Sequence, residues 1–172
     1  MAGKRATNQI NVRMELKAIG VIHSPFKKAK GTPIQPAFAN GAKGTVEVYP
    51  DYAEGIKDLE GFERIWLIYR FHKASRPRLL VKPYMDDTER GLFATRAPCR
   101  PNPIGISAVR LLRVEDYKLY IEDVDILDGT PLLDIKPYVP KFDCFEVKRI
   151  GWFAGVKIEN HTKFADNRFC DP

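Results

Sequence analysis

The residues best equipped for chemistry lie together in Gly91–Arg113, GLFATRAPCRPNPIGISAVRLLR: the guanidinium groups of Arg96 and Arg100, the amide of Asn102 and the thiol of Cys99. Guanidinium pairs with a carboxylate or phosphate through two parallel hydrogen bonds, and a thiol flanked by cations has a lowered pKa. Cys99 with His72 would make a nucleophile and its base, but no third group orients the histidine, so that pairing is weak. A rigid turn carrying solvated arginines fits the composition equally well. The chain holds no GxGxxG, P-loop or HExxH, and no GxSxG, so neither a Rossmann-type nucleotide site nor a common hydrolase is supported. Cys99, Cys144 and Cys170 are far apart, with no CxxC pair and no zinc spacing. Neither a metal nor a disulfide framework is expected, and a reducing cytoplasm is.

These groups need elements to position them. Pro98, Pro101 and Pro103 each fix φ and lack an N–H, which rules out a helix or a central strand across residues 91–103. A loop this stiff loses little entropy on ordering, so its arginines are held before a ligand arrives. From Ile104 the apolar residues alternate, which predicts a strand to Val114. Only Glu115 and Asp116 separate it from a second, Tyr117–Ile126, giving an antiparallel hairpin. Upstream, Glu15–Ser24 and Gly44–Tyr49 read as strands on either side of a long ordered loop. Asp51 and Glu54 form a capping-box pair opening a short helix, with Tyr52, Ile56 and Leu59 on one face and Gly61 as its end. Phe62–His72 is the strongest strand; its apolar character on both faces predicts a central strand covered on both sides, with Arg70 and His72 at its emerging end. Asp128-Gly129 marks a tight turn.

About six strands, one or two short helices and no βαβ alternation make this a mainly β protein. A small antiparallel β-barrel would remove the exposed edges. Residues 1–14 read as a disordered extension, 15–140 as the barrel domain, and 141–172 as a tail packing on the barrel or on a partner subunit, its last dozen residues loose. No apolar run is long enough to span a membrane, and the N-terminus lacks a signal peptide's apolar core, so a cytoplasmic protein is expected. The net charge of +6, with Lys27, Lys28 and Lys30 in one group and Arg70–Lys82 in another, suits a nucleic-acid partner or simply solvated loops.

In order along the chain, IGVIHSPF, the PIQP loop, LEGFERIWLIYRFH, GLFATRAPCRPNPIGIS and DGTPLLDIKPY resemble the TsaA-like family, whose members include the TrmO-type tRNA methyltransferases. The resemblance covers roughly Leu16–Pro140. It implies a small β-barrel that dimerises, binds S-adenosylmethionine near the subunit interface, and methylates N6 of threonylcarbamoyladenosine beside the anticodon of tRNA. Carried onto this sequence, the implied cofactor contacts are Pro33, Ile34 and Gln35, then Phe71 and His72, then Arg96 and Ile106, and finally Ile126, Leu127, Asp128 and Gly129. Arg96 would pair with the methionine carboxylate, and Phe71 would lie against the adenine. The acceptor nitrogen is a poor nucleophile, so a group must help remove its proton. Asp128, Lys136 and Tyr138 are the catalytic candidates, with Asp134 beside them. No metal is implied. Longer family members carry a further C-terminal domain that assists tRNA binding, whereas about thirty residues follow DIKPYV in this sequence. A non-catalytic S-adenosylmethionine-binding protein and a cofactor-free, RNA-binding barrel remain as alternatives.

Overall fold

The computed structural model describes residues 14–158 and 163–170. Six strands close into a barrel in the order β1–β2–β7–β6–β3–β8, with every pairing antiparallel. They are β1 (Gly20–His23), β2 (Lys43–Val48), β3 (Arg64–Arg70), β6 (Ile104–Glu115), β7 (Lys118–Glu122) and β8 (Thr130–Pro137). Outside the barrel, β4 (Leu80–Val81) and β5 (Arg90–Gly91) form a two-stranded pair. No helix among the described residues is long and apolar enough to cross a membrane.

Period-2 alternation decides what enters the barrel. On β3 the side chains of Ile65, Leu67 and Tyr69 are buried inside, joined by Ile22, Val46, Val109, Leu119, Ile121 and Leu132 from the other strands. Trp66 and Ile68 point the other way and are only half-buried. The expectation that β3 is covered on both faces is therefore corrected: a closed barrel has one interior, and the outer face keeps only partial cover, such as Tyr138 against Trp66 with ring centroids 5.5 Å apart.

Closure depends on β6. Its residues 104–110 pair with β3 and residues 110–115 with β7, and the register slips between Leu111 and Arg113 where the strand turns the corner. β7 ends earlier than its apolar pattern suggests because Asp123 adopts φ +65°, which no ladder accommodates, while Val124 and Ile126 stay buried beyond it. The expected capped helix is also corrected. Pro50–Ile56 is a 3-10 helix with Tyr49 at its N-cap and no side-chain cap, so Asp51 sits inside the first turn instead of before it.

A second, smaller core holds Val81, Leu92, Ala97, Cys99 and Phe169. Cys99 is wholly buried there, packed as a small apolar group. Phe169 belongs to the end of the chain, so residues 163–170 are not the loose tail expected. Their backbone ties to the 31–34 loop through Gly31 N–H to Ala165 O (2.9 Å), Ala165 N–H to Thr32 O (2.7 Å) and Ile34 N–H to Lys163 O (3.1 Å). The expected N-terminal extension lies outside the described residues except for Met14.

Gly105 faces into the barrel, and a Cβ there would collide with the rings of Tyr69 and Phe71. Gly105→Ala is therefore expected to destabilise the fold by about 1–3 kcal/mol, as overpacking does. Thermal or urea unfolding measures this; an unchanged midpoint would show that the two rings can move aside.

Candidate active site

The residues singled out in the sequence converge at one end of the barrel. A cavity of about 300 Å³ opens where β3 and β6 meet the 32–35 and 95–100 loops and the chain just before β8. Pro33, Ile34, Gln35, Phe71, His72, Arg96, Ile106, Ile126 and Leu127 all line it. Asp128 and Gly129 lie just beyond and do not.

Each position has a local cause. Ser24, buried at the end of β1, donates its hydroxyl to Ile126 O (2.6 Å), and its N–H donates to Asp128 Oδ1 (3.0 Å). Asp128 N–H donates to Phe26 O and Gly129 N–H to Ile22 O, with Gly129 at φ +74°. The 126–129 turn is thus stitched to the HSPF segment, which explains why both segments carry distinctive residues. The Asp128 carboxylate is taken up by this role. A 2.6 Å contact with Lys27 and the Ser24 N–H hold its pKa below the usual carboxylate range, so it balances charge at the rim and has little capacity to accept a proton.

Arg96 is exposed, and its Nη1 donates to Gln35 Oε1 (2.5 Å), joining two loops across the cavity wall. Among the described residues no carboxylate forms an ion pair with it, so its charge is available to an anion. Arg100 serves differently: its Nη1 donates to the carbonyls of Leu92, Thr95 and Ala97 at 3.1–3.5 Å and braces the proline-rich loop from within. At His72, Thr130 Oγ1 gives its proton to Leu127 O (2.7 Å), so the 3.2 Å contact with Nδ1 requires the histidine to donate there. Burial, then Lys73 and Arg70, push its pKa down, which leaves a neutral ring with Nε2 unprotonated.

The structure separates the expected catalytic trio. Lys136 lies exposed on β8, paired with Asp134 at 2.8 Å, and Tyr138 stacks on Trp66 outside the barrel. Neither lines the cavity, because their positions on and just after β8 face outward. With Asp128 occupied at the rim, none of the three is placed as a proton acceptor inside.

Sequence reasoning missed the carboxylate that is. Asp125 lines the cavity and accepts from Ser107 Oγ (2.7 Å), which leaves Tyr69 OH to donate to Ser107 Oγ (3.0 Å). Burial raises the Asp125 carboxyl to about 7, offset in part by Ser107 and by the charge of Arg96. Burial likewise pushes the Tyr69 hydroxyl up, so it stays protonated. The signal was available. Alternation places Tyr69 and Ser107 on inward positions, and Asp125 is a carboxylate between the buried Val124 and Ile126.

An Asp with a raised folded pKa stabilises the fold most below its unfolded value of about 4, and that contribution is lost as pH rises through about 7. Asp125→Asn cannot ionise and escapes this loss. The melting temperature of the variant relative to the parent is thus expected to improve between about pH 5 and about pH 8.5; an identical offset at both pH values would mean the carboxyl titrates normally.

A family model described as the tRNA-methyltransferase O N-terminal domain matches residues 21–144. The chain is 61% identical over 153 residues to a probable S-adenosyl-L-methionine-binding protein of Pyrococcus abyssi, covering 89% of this chain and 83% of that one. It is 37% identical over 136 residues to the tRNA (adenine(37)-N6)-methyltransferase of Escherichia coli, covering 73% of this chain and 58% of that one. The crystal structure of TrmO from Pseudomonas aeruginosa superimposes with a TM-score of 0.69 at 40% identity, over 82% of this chain and 63% of that chain. The chain therefore spans less than two thirds of both the Escherichia coli and the Pseudomonas protein.

Proposed function

The chain belongs to the family of the tRNA-methyltransferase O N-terminal domain, and from that premise we propose that it is an S-adenosylmethionine-dependent tRNA methyltransferase acting in the cytoplasm on N6 of an adenosine beside the anticodon. Threonylcarbamoyladenosine is the form of that adenosine it is expected to take. The observation that carries this reading is the cavity at the barrel end, lined by Arg96, apolar walls and the half-buried carboxylate of Asp125.

The residues present fit the cofactor. Arg96 offers a guanidinium for a carboxylate, the backbone of Pro33–Gln35 and Ile126–Leu127 offers groups for an adenine edge and ribose hydroxyls, and Phe71 and Ile106 supply apolar surface. S-adenosylmethionine, when bound, supplies an electrophilic methyl group. The chain's part is to hold donor and acceptor in line, which accounts for much of the rate of a displacement at carbon. Asp125 then takes the proton that the acceptor nitrogen gives up, with Ser107 and Tyr69 fixing its orientation and a pKa near neutrality suiting it to the task.

The proposal extends to a homodimer, as the resemblance implies. The outer faces of β3 and β6 present Trp66, Ile68, Ile104 and Ile106, with Ile104 and Ile106 respectively 40% and 48% exposed beside the cavity mouth. Contiguous apolar surface of this kind on a barrel wall is what a self-association interface uses.

Calorimetry should show S-adenosylmethionine binding that weakens about tenfold or more in Arg96→Ala, since a charge-assisted pair is lost. Incubation with labelled cofactor and tRNA lacking only this methyl group should label the tRNA. Binding without incorporation would instead make the protein a non-catalytic S-adenosylmethionine-binding protein. Asp125→Asn should keep cofactor affinity and lose transfer, and the parent rate should rise with pH through about 7, the direction required of a base. Sedimentation should give twice the chain mass, and Ile68→Glu the monomer; a monomeric parent would remove the dimer.

A further inference from the structure

A second cavity, of about 630 Å³ and so larger than the first, adjoins it at the Gln35–Arg96 contact. The two share Ile34, Gln35, Tyr84, Thr95, Arg96 and Phe169 in their linings. The barrel core uses little of what lines the second: Phe93 is 75% exposed and Ile150 53%, joined by Tyr84, Trp152 and Phe153. Trp152 is fixed by its indole N–H, which donates to Ala94 O (2.8 Å), and Phe153 meets it edge-on with centroids 5.6 Å apart. Pinning a tryptophan by its edge leaves its faces for contact. Trp152 is thereby held against its own chain.

Arg96 lines this cavity, and further arginines lie against its rings. Arg90 lies 5.9 Å from the Trp152 ring, Arg100 5.6 Å from Phe93, Arg168 5.0 Å from Tyr84 and Arg78 5.6 Å from Phe169. Arg90 is paired with Asp86 and Arg168 with Asp166. Among the described residues Arg78, Arg96 and Arg100 have no carboxylate partner; Arg100 is turned to the carbonyls of its own loop, and Arg96 brings its positive charge into the cavity lining. Rings alone would suit an apolar ligand or a greasy segment of another protein, and arginines alone would suit any anion. Rings interleaved with unneutralised arginines match a ligand with flat π faces and an attached phosphate, which is an unstacked nucleotide.

We infer that the second cavity receives the unstacked target nucleotide of the RNA, with its base against Phe93 and Trp152 and its flanking phosphates on the arginine rim. The inference rests on the methyltransferase reading. It seats the acceptor base in the second cavity with its amino group reaching past the shared Gln35–Arg96 lining into the first, where the methyl donor and Asp125 lie. It also makes the segment after β8 part of the substrate site.

The chain has two tryptophans, so Trp66→Phe leaves Trp152 as the only reporter. Its fluorescence should be quenched by an anticodon stem-loop RNA with an unpaired loop adenosine, and not by a fully paired duplex or by S-adenosylmethionine alone. Phe93→Ala, at a surface position that folding does not need, and Trp152→Ala should each weaken stem-loop binding about tenfold, with S-adenosylmethionine affinity unchanged. Unchanged RNA affinity in both variants, with tRNA still methylated by the parent, overturns this inference and leaves the proposed activity standing. Failure of the parent to bind or methylate any RNA overturns both. Quenching that depends on protein concentration without RNA would identify a second copy of the chain as the occupant and would also overturn it.

Discussion

Pairing of β8 with β1 on one edge and β3 on the other is what closes the barrel, and the geometry of the site depends on that closure. Closing a sheet of only six strands gives it one small interior, filled by inward side chains, and leaves a polar or open region only where the strands splay at an end. The residues that diverge there are the ends of β3 and β6 and the turn before β8. A long β6, bent between Leu111 and Arg113, lets one strand serve two neighbours and carries Gly105, Ile106 and Ser107 to that opening. Gly105 allows Tyr69 and Phe71 to pack where any side chain would stand in their way.

Within this frame, two carboxylates three residues apart have opposite properties. Asp125 is drawn inward among apolar groups with one hydroxyl donor, and burial raises its pKa toward neutrality. Asp128 meets Lys27 and a backbone N–H, and its charged form is favoured. Environment alone separates their roles, as it does wherever one site needs both a fixed charge and a titrating group. The same division applies to the arginines of the proline-rich loop. Arg100 spends its donors on three carbonyls, which stiffens the loop, and Arg96 keeps its charge available because that loop is stiff.

The end of the chain acts as a clamp. Residues 163–165 pair with the 31–34 loop, and Phe169 fills the small core beneath Cys99 and Leu92. Gln35, held at the end of that loop, reaches Arg96, so the wall between the two cavities is braced from a segment more than a hundred residues distant. Among the arginines near that wall, Arg78, Arg96 and Arg100 form no ion pair with the described residues, which favours a polyanionic partner.

Some of this was legible in the residues themselves. Period-2 alternation marked β2, β3 and β6 and implied a mostly antiparallel sheet, because side-chain facing in a strand is a local property. The prolines between Pro98 and Pro103 marked a stiff loop for the same reason: φ restriction needs no tertiary context. The resemblance of long composite segments then indicated which loops gather around one cavity. Tertiary structure decided what depends on distance between remote residues: that Asp125 is drawn against Ser107 while Asp128 is claimed by Lys27, that Lys136 and Tyr138 stand outside the wall, and that Trp152 and Phe169 return to the barrel end. Burial and charge pairing are set by neighbours far away in the chain, and no local pattern records them.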